Sequence, residues 1–249
     1  MIIEIVVYNL ESTLMAQRGG ANRIELCDNP GEGGTTPSLG MIETVRKKLN
    51  IDLFVMIRPR GGDFCYSNEE FVVMKTDIIA AKRAGADGVV FGILTPGGRI
   101  DTDRCTELIQ LAKPMSVTCH RAFDMTKDLT LSLDECVACG FDRVLTSGGK
   151  LKAIDGVGLI DTLNQQSKGR IKIMPGSGID EINVQEIVSK TQVDEIHFSA
   201  ASSRASEMQF RNQNITGMGN EQGTEFMLRT VDPGRVVEIR RLAGLVSNR

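Results

Sequence analysis

The stretch GADGVVFG, residues 85–92, places a turn and a buried strand within a few residues. A glycine and an aspartate precede a run of branched apolar residues, and a second glycine ends that run, which is typical of a short strand in a parallel sheet. A shared pattern of glycine or a polar residue, then Asn or Asp, then a strand also occurs in GANRIELC (20–27), GFDRVLTSGG (140–149) and QVDEIHFSA (192–200). We interpret these four segments as equivalent strands of one repeated architecture.

Four further β-rich runs complete the series: MIIEIVVY at the amino terminus, DLFVMIRPR (52–60), MSVTCHRAF (115–123) and IKIMPGSG (171–178). A helical pattern follows each strand. Strands that alternate with helices imply a parallel sheet, and eight such units predict an α/β fold, a single TIM (β/α)8 barrel. A doubly wound open sheet is the alternative.

The barrel prediction treats residues 1–249 as one domain, because no linker divides the chain. Residues 200–229 form a long segment after the eighth strand, rich in Ser, Asn, Gln and Gly, which we expect to be a lid, an oligomer arm or a helix-containing insertion. Residues 232–248 then predict a C-terminal helix. Asp232 before Pro233 marks its start, as Ser67 with Glu70 marks the start of an earlier helix.

Composition excludes several classes of function. The net charge is −3 and the basic residues are dispersed, so nucleic acid is not an expected partner. No window holds about 18 consecutive apolar residues, which argues against a membrane span. The apolar amino terminus lacks a basic region and contains Glu4, so it is not a signal peptide. We therefore expect a cytoplasmic protein whose six cysteines are reduced thiols. Cys136 and Cys139 lie at helical spacing among apolar residues, which predicts core packing.

Alternate residues of a barrel strand face either the helices or the interior, and the more apolar set should face the helices. In the first strand this rule places Ile3, Ile5 and Val7 outward. In the fifth strand it places Cys119 outward and the next residue inward. The ionisable residues predicted to face inward are Glu4, Glu25, Arg58, His120 and His197.

Charged side chains inside a barrel are costly unless they pair or meet a ligand. One reading is a buried ion-pair network that only stabilises the barrel. The other is an enzyme of lyase or isomerase type that acts on a small anionic or phosphorylated metabolite. In that reading Glu25 or His197 is the general base, His120 is the acid or electrophile, and Arg58 holds the substrate charge. Glu4 is an additional catalytic candidate, as are Arg121 and Asp124, which follow His120.

Turns of small residues follow the last three strands: the glycine-rich TSGG after the sixth and MPGSGID after the seventh, and SAAS after the eighth. Barrels commonly bind phosphate with the loops after strands 7 and 8. A simple helix-entry turn is the alternative explanation. The predicted anion-binding residues are Ser147, Gly148, Gly176, Gly178 and Ser199.

Together, RIELC, EGGTTPS, IRPRGGDFCYS, HRAFDM, RVLTSGG, MPGSGI and MQFRN resemble the CutC family from the first strand to about residue 212. The resemblance implies a cytosolic TIM barrel with a role in copper homeostasis. It also implies copper, Cu(I), as the bound metal and a homo-oligomer, with a dimer as the expected form. A scaffold that functions only by oligomerising is a third reading.

Family members often carry a cysteine in the first strand, where this chain has Val6 and Val7. Cu(I) prefers thiolate and thioether ligands. By the facing rule, Cys27 is the thiol that reaches the barrel mouth, with Cys65 or inward-facing methionines as helpers. The resemblance therefore leaves Cys27 as the candidate metal ligand.

Overall fold

A computed structural model describes residues 1–212, 214 and 225–244. Eight parallel strands alternate with eight helices in the described chain. The strands are β1 (Ile2–Val7), β2 (Arg23–Leu26), β3 (Asp52–Met56), β4 (Gly88–Phe91), β5 (Ser116–Cys119), β6 (Arg143–Thr146), β7 (Lys172–Pro175) and β8 (Glu195–Phe198). The helices are α1 (Leu10–Arg18), α2 (Leu39–Arg46), α3 (Asn68–Arg83), α4 (Thr102–Ala112), α5 (Leu129–Cys139), α6 (Val157–Ser167), α7 (Val184–Thr191) and α8 (Pro233–Gly244).

The strand order identifies the architecture. Neighbouring strands run β7-β6-β5-β4-β3-β2-β1-β8, so the two ends of the sheet are consecutive in the chain and the sheet is nearly closed. A doubly wound sheet would reverse its order partway, and this one does not. The predicted TIM barrel is confirmed. No helix in the described part of the chain is long and apolar enough to cross a bilayer.

Helix starts follow the expected signals. Ser67 and Glu70 form the predicted capping box at α3. The Asp232 carboxylate accepts a hydrogen bond of 2.8 Å from the Gly234 amide in the first turn of α8. That helix ends at Gly244 in the described chain, and residues 245–248 of the predicted helix lie outside the described residues.

The segment after β8 forms a two-stranded antiparallel ribbon rather than a helical insertion where it is described. Its strands are β9 (Ala201–Ala205) and β10 (Met227–Val231), whereas residues 213 and 215–224 lie outside the described residues. The ribbon contacts α1, because the Asn9 side chain donates a hydrogen bond to the Arg229 carbonyl. The Arg229 guanidinium lies 5.2 Å from the centre of the Tyr8 ring. The ribbon therefore extends the barrel wall beside the end of β1, at the mouth of the barrel, which is the end where the strands have their carboxyl termini.

Two apolar layers confirm the predicted facing of the strands. Ile3, Ile5 and Val7 are buried in the large layer between the sheet and the helices, and Cys119 is buried there too. Cys136 and Cys139 lie in this layer, as their spacing predicts. The separate inner cluster consists of Cys27, Phe54, Met56 and Val90, with Val6 and Tyr8 packed against it.

Candidate functional site

An ion-pair network fills the amino-terminal half of the barrel interior. The Arg23 guanidinium contacts Glu4 and Glu195, and the Arg143 Nε lies 3.1 Å from the same Glu195 oxygen. Both arginines also lie against the Phe54 ring, at 4.8 and 5.0 Å from its centre. Each of these charges therefore has an opposite charge beside it, so the pairing within the barrel accounts for their burial without a ligand.

Three members of this network, Arg23, Arg143 and Glu195, are absent from the residues predicted to face inward. The signal was present, because Arg23 precedes Glu25 by two residues and Glu195 precedes His197 by two. Residues two apart on a strand share a face. The same alternation that identified the glutamate and the histidine would have placed these residues inside.

Above this layer, Glu4, Glu25 and His197 meet at adjacent strands. Glu4 and His197 are partners in the β1–β8 register, and the His197 Nδ1 lies 2.7 Å from a Glu4 oxygen. The His197 Nε2 lies 3.7 Å from a Glu25 oxygen. All three residues are buried, and their potential ligand atoms lie within 4.8 Å of one another. The three residues therefore lie side by side, as the sequence predicts. Their carboxylate oxygens and imidazole nitrogens are atoms that could bind a metal ion.

The surroundings of Glu4 and Glu25 give their carboxyl groups different pKa values. Burial alone would raise the pKa of Glu4, but the charges of Arg23 and His197 outweigh it and lower that pKa to about 2. Burial raises the pKa of Glu25 to about 7, against the opposing charge of His197. Burial disfavours the imidazolium of His197, yet the two carboxylates raise its pKa. Glu4 is therefore a fixed anion, while Glu25 can gain and lose a proton near neutral pH.

Cys27 adjoins this group on the inner face of the barrel. Its thiol donates a hydrogen bond of 3.6 Å to a Glu25 oxygen, while the other oxygen of Glu25 is buried without a partner. Burial and the neighbouring Glu25 raise the pKa of the Cys27 thiol well above its ordinary value. The resting state is thus a protonated thiol beside a carboxyl group of near-neutral pKa.

Arg58 follows β3 and holds two loops together. Its Nη1 donates to the Glu32 and Gly34 carbonyls at 2.5 and 2.8 Å, and its Nη2 donates to the Gly62 carbonyl at 2.8 Å. Its Nε is buried without a partner. No carboxylate of the described residues forms an ion pair with it within 4.0 Å. The structure therefore places Arg58 apart from the two glutamates, as a buried cation that contacts only neutral acceptors.

His120 lies at the carboxyl end of β5, and its ring contacts Phe64 at 4.9 Å between centres. The Ala122 amide donates a hydrogen bond of 3.2 Å to the His120 Nδ1. Burial, aided by the charge of Arg58, lowers the pKa of His120 to about 3, so the ring is neutral at physiological pH. Because Nδ1 accepts, Nε2 carries the proton, and this Nε2–H is buried without a partner.

Asp124 lies in the segment after β5, and its side chain reaches the loop after β6, where the sequence predicts a bound anion. Its carboxylate accepts hydrogen bonds of 3.0 Å from the Ser147 and Gly149 amides and pairs with Arg121 at 2.8 Å. The Gly148 amide donates to a neighbouring threonine hydroxyl. The Asp124 carboxylate therefore already accepts hydrogen bonds from amides of this loop. Arg121 and Asp124 form an ion pair with each other and hold the loop in place.

Close packing and backbone conformation explain why glycine occurs at the two positions after β7. A Cβ atom on Gly176 would lie 2.5 Å from Leu145 and 3.3 Å from His197, and the Gly176 amide donates to a β6 carbonyl. Gly178 has a φ of +67° and lies against the Lys152 side chain. Ser199 is half-buried, two residues after His197. These residues lie on the β7 and β8 side of the mouth, whereas Arg58 and His120 follow β3 and β5.

Comparison with known proteins places this site in context. The model of the CutC family matches residues 1–202. A human protein named copper homeostasis protein cutC homolog is 46% identical over 99% of this chain and 89% of its own length. A CutC family protein of Histophilus somni is 44% identical over 97% of this chain and 99% of its own length. The crystal structure of a putative copper homeostasis protein CutC from Streptococcus agalactiae has a TM-score of 0.76 and 35% identity, and the match covers 80% of this chain and 98% of that one. Phosphoribosylanthranilate isomerase from Thermotoga maritima has a TM-score of 0.59 at 14% identity, over 98% of this chain and 99% of that one, which shows a common fold alone.

Proposed function

Because the chain belongs to the CutC family, we propose that it acts in copper homeostasis and that it binds copper directly, as cargo, at the barrel mouth. The observation that carries the proposal is the contact of 3.6 Å between the Cys27 thiol and Glu25. A cytoplasmic location and a homodimer belong to the same proposal, and light scattering of the purified protein tests the dimer.

The donor set of the inner cluster fits Cu(I), which prefers thiolate and thioether sulfur. Cys27 and Met56 pack in this cluster, and both side-chain ends lie under Gly34, where an added Cβ would be 3.2 Å from the Cys27 sulfur and 3.6 Å from the Met56 methyl. Cys65, which the sequence analysis offered as a helper, is exposed on the β3–α3 loop. Cys27 is therefore the thiolate ligand of the proposed site, and Met56 is its nearest soft companion.

Copper binding at Cys27 requires a proton acceptor, because the thiolate and not the thiol is the ligand. The raised pKa keeps the thiol protonated until a metal arrives. Glu25 lies at hydrogen-bonding distance and has a pKa of about 7, so its ionised form can take the thiol proton. The proposal therefore includes a rise in copper affinity as pH rises through the titration of Glu25.

Titration of the reduced protein with Cu(I) against a chromogenic chelator tests this function under anaerobic conditions. Cys27→Ala should lower the affinity by more than about tenfold, since loss of a direct ligand costs at least as much as loss of a supporting residue. Cys65→Ala, which removes an exposed thiol, is the matched control and should leave the affinity unchanged. Equal affinities in wild type and Cys27→Ala would refute copper binding at this site.

A second candidate function is an enzyme of lyase or isomerase type that transfers a proton on a small metabolite. It is favoured by the unpartnered Glu25 oxygen beside His197, since a carboxyl group with a pKa near 7 suits general acid–base chemistry. Glu4 holds the His197 ring through Nδ1. A thermal-shift screen of metabolites should find a stabilising ligand, and Glu25→Gln should retain its binding but abolish its turnover. Turnover that persists in Glu25→Gln would eliminate this candidate.

A further inference from the structure

We infer that the mouth of the barrel binds a small oxyanion, a carboxylate or a phosphate group, through Arg58, Tyr66 and His120. This places the anion on the β3 and β5 side of the mouth, away from the loops after β6, β7 and β8. The inference deepens the second candidate function by naming its ligand class, and it rests on that function for any catalytic consequence. It uses residues other than Cys27 and is independent of copper binding.

Unsatisfied polar groups point to this side of the mouth. In the described part of the chain, the buried side-chain atoms without a hydrogen-bond partner are Glu25 Oε1, Arg58 Nε, Tyr66 Oη and His120 Nε2. The four residues are between 3% and 5% exposed. All four lie at the carboxyl end of a strand or in the loop that follows it. Native proteins bury few such atoms, so their concentration at one end of the barrel calls for an external partner.

Three of these four groups are hydrogen-bond donors, which decides the chemistry of the partner. The Arg58 Nε always carries a proton. The His120 Nε2 carries one because Nδ1 accepts from the Ala122 amide. Burial raises the pKa of Tyr66 to about 12, so its hydroxyl remains a donor. A partner that accepts several hydrogen bonds at once is required, and the oxygens of a carboxylate or phosphate meet this requirement.

The charge of Arg58 selects an anion over a neutral carbonyl compound. The Arg58 guanidinium is buried among backbone carbonyls, an aromatic ring and the neutral Tyr66 hydroxyl, so it lacks the opposite charge that such a group normally has. The paired arginines of the lower layer, Arg23 and Arg143, show the contrast within the same barrel. An anion at the mouth would supply the missing charge.

Arg58 adjoins the other two donors, Tyr66 and His120. The Arg58 guanidinium and the His120 ring each lie 4.9 Å from the centre of the Phe64 ring. The charge of Arg58 also acts on both Tyr66 and His120. Because these donors are almost fully buried, they can enclose only the oxyanion group of a ligand.

Binding of two probes, inorganic phosphate and acetate, tests the inference by thermal shift and calorimetry, with sodium chloride at equal ionic strength as the reference. At least one probe should raise the melting temperature of the wild type. Tyr66→Phe should weaken that binding by at least about tenfold, because a hydrogen bond to a charged group is lost. Without a probe, Tyr66→Phe should keep the fold of the wild type, because the buried aromatic ring is retained and only a hydroxyl group is removed. The other tyrosine of the chain, Tyr8, provides the matched control, and Tyr8→Phe should bind the probe as the wild type does.

The outcomes separate the inference from the functions above. A response to phosphate alone or to acetate alone supports the inference and identifies the group. If neither probe stabilises the wild type beyond chloride, the inference is refuted. If a probe binds equally well to the wild type, Tyr66→Phe and His120→Asn, the anion site lies elsewhere and the inference fails, while the second candidate function stands. His120→Asn keeps an acceptor for the Ala122 amide, so its fold should be preserved.

Discussion

Replacement of Glu25 by glutamine should stabilise the protein at alkaline pH and not at acidic pH. Burial raises the pKa of this carboxyl group from an ordinary 4.5 to about 7. Between these two values the native state keeps a proton that the unfolded chain has released. The native state therefore loses stability as pH rises through this window, which is the reverse of the behaviour of an ion-paired carboxylate. Glutamine imitates the protonated form and does not ionise.

The magnitude follows from the two pKa values. They differ by roughly 2.5, and a difference of 1 corresponds to about 1.4 kcal/mol, so the full effect is about 3 kcal/mol. At pH 5 most of this loss has not occurred, and at pH 8 it is nearly complete. Urea unfolding at the two pH values should show that the advantage of Glu25→Gln over the wild type grows by about 2 to 3 kcal/mol.

Glu4→Gln is the control for this measurement. Its carboxyl group has a pKa of about 2, so its own contribution to stability is present above pH 4.5 and is lost only as pH falls from 4.5 to 2. That variant should be less stable than the wild type at both pH values, by about 3 to 5 kcal/mol at pH 5, because a buried ion pair is broken. An advantage of Glu25→Gln that does not change between the two pH values would refute the assignment of Glu25 as a group that titrates near neutrality.

Three further substitutions test the packing of the barrel by urea unfolding. Arg23→Met should lower the free energy of unfolding by about 3 to 5 kcal/mol, because it leaves two buried carboxylates without their shared cation; a neutral result would show that the lower layer is not a coupled network. Asp124→Ala should cost about 3 kcal/mol by removing the acceptor of two loop amides, and a loss below about 0.5 kcal/mol would contradict this role. Gly88→Ala should cost about 1 to 3 kcal/mol, since its Cβ would lie 2.5 Å from the Phe54 ring, and wild-type stability would show that the ring moves aside freely.

Sequence alone predicted the barrel because two independent periodicities agree. The recurrence of strand and helix gives the number of units, and alternation within each strand gives the facing of its side chains. The second rule succeeded where the outer face is purely apolar, as with Ile3, Ile5 and Val7. It was not applied to the first residues of β2 and β6, so Arg23 and Arg143 were left out although the same rule places them inside.

Two features could not be read from local patterns. The β9–β10 ribbon is exposed over most of its length, so its strands lack the apolar alternation that reveals buried strands. The occupant of the loop after β6 is a carboxylate from residue 124, more than twenty positions earlier in the chain. A glycine-rich loop has the same sequence whether its amides bind an external anion or an internal one. Only the tertiary structure distinguishes these cases.

The distribution of satisfied and unsatisfied charge along the barrel axis separates stability from function. In the lower layer, Arg23, Arg143 and Glu195 pair completely, so their burial is explained by the fold itself. At the mouth, Glu25 and Arg58 are buried in the same protein with free polar atoms. Each such atom costs about 1 to 3 kcal/mol in the folded chain. The same strands supply both layers, and in the lower layer their charges pair with one another. The polar atoms that remain without a partner lie at the mouth, where a ligand or a metal ion can meet them.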